Sequence, residues 1–90
     1  MSSINYITPK HIKILVYILD NGGEVIGFRD MAMRFKIGYG SLSSALKELQ
    51  FLNLITKDHG PNNVSIYRLT PKGRRAAEIL KQLIEILEGE

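Results

Sequence analysis

The stretch from Phe28 to Ile55, FRDMAMRFKIGYGSLSSALKELQFLNLI, constrains the chain most. Leu42, Ala45, Leu46, Leu49 and Leu52 recur at steps of three and four, which places them on one buried stripe of a helix. Met31, Ala32 and Phe35 make a shorter stripe before it. Between the two lies Lys36-Ile37-Gly38-Tyr39-Gly40, too short for anything but a turn, with Ile37 as an apolar plug between the helices. The second helix carries Ser41, Ser43, Ser44 and Lys47 on its outer face near its N-terminus. A helix whose leading end is small, polar and flanked by glycine can approach another surface closely. Its free backbone N–H groups and the positive end of its dipole suit phosphate.

After the turn the pattern runs Ile37, Gly38 to Ser44, then Ala45-Leu46-Lys47-Glu48-Leu49-Gln50-Phe51-Leu52-Asn53-Leu54-Ile55. The segment resembles the helix-turn-helix of winged-helix transcription regulators. In that family the resemblance implies a second helix that enters the DNA major groove. Two departures stand out. Asn53 occupies the position of a frequent family glycine, and asparagine is the next-best residue for a left-handed helix end. Gly40 sits where a helix-favouring polar residue is usual, which predicts a loose first turn.

The chain on either side fits that frame. Met1 to Ile7, with Ile4, Tyr6 and Ile7 apolar, reads as a frayed tail or an arm docking on a neighbour. Thr8-Pro9 opens a first helix over 8–21, which Asn21-Gly22-Gly23 ends. Ile12, Leu15, Val16 and Leu19 form one stripe of it, and Ile14, Tyr17 and Ile18 a second. So broad an apolar surface predicts a central helix or one shared with a second subunit, through Ile14 and Ile18. Glu24-Val25-Ile26 reads as a short strand. Helices over 28–35 and 39–52 follow. Then comes a β-hairpin over 54–70, its strands Leu54 to Asp58 and Val64 to Leu69 joined by the turn residues His59-Gly60-Pro61-Asn62-Asn63.

Leu69-Thr70-Pro71-Lys72-Gly73 supplies a second resemblance, because L-T-x-x-G after the wing is frequent in MarR-like and PadR-like regulators. Physically, Thr70 caps and Pro71 opens a last helix over 71–88. Ala76, Ile79, Leu80, Leu83, Ile84 and Leu87 form its stripe, and Ile86 widens it. The predicted fold is α+β and mostly helical: one winged helix-turn-helix domain, with a three-helix core, a β-hairpin wing and a C-terminal dimerisation helix. Ile79, Leu80, Leu83, Ile84 and Leu87 would pair with a second copy, because a small domain has little core to cover them. The competing reading packs this helix back on the first helix of its own chain.

Composition bounds the function. Apolar residues make up 44% and charged residues 23% of 90 residues, which predicts one folded domain rather than a disordered chain. There is no cysteine, hence no disulfide framework and no thiolate metal site, which fits a reducing, cytoplasmic setting. No apolar run suits a membrane span, and the N-terminus lacks a signal pattern. The net charge of +3 is unevenly spread: Phe28 to Arg75 holds nine cations and three acids, or +6, and the rest of the chain −3. Positive charge thus gathers around the DNA-reading region, as an electrostatic footprint requires.

No active site emerges. His11 and His59 lack a carboxylate at metal-ligand spacing, and Ser41, Ser43 and Ser44 have no His or acid nearby in sequence. No cofactor and no enzymatic activity are expected. The expectation is a homodimeric, sequence-specific regulator of double-stranded DNA, its two recognition helices roughly 34 Å apart on a pseudo-palindromic site. Tyr39, Ser41, Ser43, Ser44 and Lys47 would face the major groove. Arg29, Arg34, Lys36, Lys57 and Arg68 would sit on phosphates, with His59, Asn62 and Asn63 at the wing tip. The alternatives are a winged-helix protein-interaction module and an architectural chromatin protein of low sequence specificity.

Overall fold

A computed structural model describes residues 7–89, so the arm reading of Met1 to Tyr6 lies outside the described residues. The elements are α1 (Pro9–Asp20), β1 (Glu24–Ile26), α2 (Phe28–Phe35), α3 (Tyr39–Phe51), β2 (Ile55–His59), a 3-10 turn (Pro61–Asn63), β3 (Ser65–Leu69) and α4 (Pro71–Gly89). This is the α+β winged helix-turn-helix architecture expected from the sequence. The sheet is antiparallel in the order β1-β3-β2. Val25 and Lys57 both stand opposite Tyr67 on the central strand. No helix among the described residues is long and apolar enough to cross a membrane.

The first three helices end on one device. After α1, Gly22 N–H donates to Leu19 O at 3.1 Å and Gly23 N–H to Ile18 O at 2.9 Å. The same 5→2 and 6→1 pair closes α2 through Lys36 and Ile37, and α3 through Asn53 and Leu54. This is the Schellman motif, which needs one left-handed residue. Gly22 (φ 81°), Lys36 (φ 55°) and Asn53 (φ 62°) occupy that position. Asn53 thus does the work of the glycine it replaces. Gly40 does not unwind α3, which runs from Tyr39.

One core joins α1, α2, α3, the sheet and α4. Ile14, Leu15 and Ile18 of α1 are 0% exposed, as are Leu42 and Leu49 of α3. Ile14 and Ile18 are therefore inside their own chain rather than on a dimerisation surface. The breadth of the α1 stripe reflects a helix covered by α3, the sheet and α4 within one chain. The last helix divides. Ala77 is buried and Leu80 packs on the core beside α1, and Ile84 is half-buried. Ile79, Leu83, Ile86 and Leu87 are exposed. Lys81 Nζ holds Asp20 Oδ1 at 2.5 Å, tying α4 to the end of α1.

The start of α4 is locked onto the end of α3. Thr70 Oγ1 donates to Asn53 O at 2.7 Å and accepts from Gly73 N–H at 2.9 Å, so one hydroxyl joins two helices. Thr70 N–H donates to Leu54 O at 3.0 Å, and Lys72 Nζ reaches Leu52 O at 3.0 Å. The buried position 73 needs glycine, because a Cβ there would overlap the Leu54 carbonyl oxygen. The L-T-x-x-G pattern is thus a cap and a close backbone crossing. Gly73→Ala should lower stability by on the order of 3 kcal/mol, since backbone must move to admit the methyl group. Denaturant unfolding of the two proteins measures this.

Candidate nucleic-acid interface

The face of α3 turned away from the core is built by elimination. Leu42, Ala45, Leu46 and Leu49 take the core side. A turn of 3.6 residues then leaves Gly40, Ser44, Lys47 and Phe51 outermost, all exposed. Ser43 and Gln50 lie on the flank toward the wing, and Ser41 and Glu48 on the flank toward α1.

On the wing flank, Ser43, Lys47 and Gln50 of α3 line a hollow of about 260 Å³ with Phe28, Lys57, Ser65 and Tyr67. Two lysines and two serine residues are among its lining. Lys57 Nζ lies 6.0 Å from the centre of the Tyr67 ring, at the outer limit of a cation–π contact. Burial pushes the Tyr67 phenol above its ordinary pKa, with a hydrogen bond from Ser65 acting the other way. The phenol therefore stays neutral through the physiological range.

The remaining expected positions are scattered. Tyr39 is exposed and rests edge-on against Phe28, ring centres 5.5 Å apart. Ser41, Ser44, Arg29 and Lys36 are exposed, and the Arg34 guanidinium lies 5.1 Å above the Tyr17 ring. His59 ends β2, and Asn62 and Asn63 form the wing tip in the left-handed region at φ 60° and 62°, a conformation asparagine tolerates. Arg68 is committed elsewhere: Nε holds Glu24 Oε1 at 2.5 Å and Nη1 holds Asp58 Oδ2 at 2.6 Å. Both carboxylates raise its pKa further. It fastens three strands together, so its charge is already matched.

The α1 flank holds groups that sequence reasoning missed. Lys10 Nζ donates to Ser41 Oγ at 2.6 Å. His11 is 4% exposed and links the start of α1 to α3. Its Nδ1 lies 3.1 Å from Thr8 N and 2.7 Å from Thr8 Oγ1, and its Nε2 lies 2.9 Å from Glu48 Oε1. A backbone N–H can only donate, so Nδ1 accepts and Nε2 carries the proton given to Glu48. His11 thereby takes the N3 place of a capping box, where Glu or Gln is usual. The signal was the Thr-x-x-His spacing, but only the fold brings Glu48 to it. Among the described residues no group of three or more metal-ligating side chains gathers.

Solved structures share this fold. No protein-family model and no curated protein sequence matches the chain. The chain superposes on ZitR of Lactococcus lactis with a TM-score of 0.78 at 25% identity, over 89% of this chain and 60% of that one. MepR, a transcription regulator of the Staphylococcus aureus multidrug efflux pump MepA, gives 0.79 at 20% identity over 92% and 62%. A MarR family protein from Bacillus stearothermophilus gives 0.71 at 21% identity over 91% and 60%. The fold is the MarR-type winged helix. The chain spans about 60% of the length of the first of these neighbours, ZitR. In MarR-type terms α2 and α3 are the helix-turn-helix and β2–β3 the wing.

The ring ¹⁵N shifts of His11 should report the Nε2–H tautomer in the neutral form. An Nδ1–H tautomer would mean that Thr8 N–H has no acceptor there and that the link to α3 is built differently.

Proposed function

We propose that this protein is a transcriptional regulator that binds double-stranded DNA sequence-specifically as a homodimer, with α3 in the major groove and the wing on the adjacent backbone. The observation that carries this reading is the outer face of α3. Ser44 and Lys47 project from a helix whose opposite face is wholly buried, beside a hollow that adds Lys57. Likeness to MepR and to a MarR family protein supports the same reading. Serine hydroxyls read either a donor or an acceptor, and Lys47 favours guanine edges or phosphate. The exposed row Ile79, Leu83 and Ile86 on α4 has the four-then-three spacing of a helix-pairing seam, and a second copy would cover it.

One observation favours a second reading. Phe51, 84% exposed, closes the same outer face of α3 beside a hollow lined by Lys47, Glu48 and Leu52. An apolar end on this helix suits a protein partner, which would make the domain an interaction module.

Titrating a labelled duplex at several salt concentrations separates the two. A DNA regulator loses affinity steeply as salt rises, because each phosphate contact releases counterions. An interaction module shows no binding even at low salt. Within the DNA reading, Lys57→Ala should lower the salt slope by about one on every sequence. Lys47→Ala should cost on the order of 1 kcal/mol more on the tightest-binding sequence than on random duplex. Equal losses would assign Lys47 to phosphate alone. Leu83→Glu should convert the dimer to a monomer in sedimentation velocity while leaving the helical content intact. An unchanged sedimentation coefficient would remove α4 from the interface.

A further inference from the structure

A helix lying in the major groove has two flanks, and each faces the phosphates of one strand. On the wing flank of α3 the cations are few. Lys47 and Lys57 border the hollow there, but Arg68 is matched by both Glu24 and Asp58. The opposite flank is different. Lys10 and Lys13, one helical turn apart on α1, border a hollow of about 130 Å³ with Phe35 and Ile37 of the α2–α3 corner. Lys10 is fixed at the first turn of α3 by its 2.6 Å bond to Ser41 Oγ. Lys36 stands in that corner, and Arg34 is held at its edge over Tyr17, whose ring packs edge-on against Phe35 at 5.2 Å. Among the described residues none of these four cations takes part in an ion pair. Glu48, the carboxylate of this flank, is turned onto His11.

We propose that Lys10 and Lys13 of α1, with Lys36 at the α2–α3 corner, form a second phosphate-binding edge that holds the duplex strand on the side of α3 away from the wing. The contact is to the sugar-phosphate backbone. Lysines around an apolar hollow carry charge without the planar fork that reads a base, and the α1 flank lies to the side of the outermost row Ser44 and Lys47. Lys10 is limited in its motion by Ser41, so a phosphate at this edge also fixes the start of α3 relative to the groove. The wing then positions the protein more weakly than the α1 side does.

This inference rests on the duplex-binding reading, and one experiment separates their failures. Binding of the full chain to a labelled duplex is followed by fluorescence anisotropy across a series of salt concentrations. The double variant Lys10→Gln, Lys13→Gln should lower the slope of log affinity against log salt by about 1.8, two phosphate contacts at about 0.9 each. The loss should be the same on tight and random sequences. Lys10→Arg, Lys13→Arg should keep the wild-type slope. Arg75→Gln removes one charge from α4 and should lower the slope by much less than Lys10→Gln alone. A wild-type slope in the Gln variant, or an equal fall in the α4 variant, overturns the second edge and leaves duplex binding standing. Should the Gln variant fail to fold by circular dichroism, Lys10→Gln alone should lower the slope by about 0.9, and an unchanged slope overturns the proposal. Wild-type protein that shows no salt-dependent binding overturns duplex binding and the second edge together.

Discussion

The fold depends on the place where the end of α3 meets the start of α4. Asn53 takes a left-handed conformation so that the chain can leave α3 and turn into β2. That turn frees the carbonyls of Leu52, Asn53 and Leu54 from the helix ladder, and of these residues only Leu54 is buried. They are taken up by Lys72, the Thr70 hydroxyl and Thr70 N–H. Gly73 lets the α4 backbone approach closely enough for this to happen. The wing hairpin leaves and returns at this corner, so the same bonds set where β2 and β3 emerge relative to α3.

With that corner closed, α3 is held from three sides. Its apolar stripe lies on α1 and the core. Ser43 and Gln50 face the sheet across the wing hollow. Glu48 is bonded to the buried His11, whose other nitrogen is engaged by Thr8. A buried imidazole with both nitrogens satisfied does not incur the cost of a lone buried polar group. Among the described residues that are not exposed, no buried side-chain nitrogen or oxygen lacks a partner. A helix fixed this way presents Ser44 and Lys47 with little freedom, which preorganises a recognition surface.

The distribution of charge in the fold differs from its distribution along the chain. Counting residues from Phe28 to Arg75 gathers the cations into the reading region and leaves Lys10 and Lys13 in an acidic remainder. The fold returns them to α3 through the contact of α1 with the α2–α3 corner. It also withdraws Arg68, because the β1-β3-β2 order lays Glu24 and Asp58 on either side of it. Sequence separation of 44 and 10 residues hides those two partners equally well. The burial of Ile14 and Ile18 within their own chain is hidden from the sequence for a related reason. Periodicity says that a face is covered, but not whether the cover comes from the same chain.

Local patterns along the chain set the order of elements, most helix ends and the apolar faces. These follow from local rules: threes and fours in the stripes, Thr-Pro at two helix starts, and Gly22 and Asn53 at left-handed stops, whereas the left-handed Lys36 follows no such rule. The architecture was legible because L-T-x-x-G and the recognition stripe each serve a contact between near neighbours. Which cations stay unmatched, the meeting of His11 with Glu48, and the half of the α4 stripe left uncovered all come from packing in three dimensions. Those outcomes depend on approach between residues far apart in the chain. Ion pairing and burial are set by distances of a few ångströms in space, which spacing along a sequence does not encode.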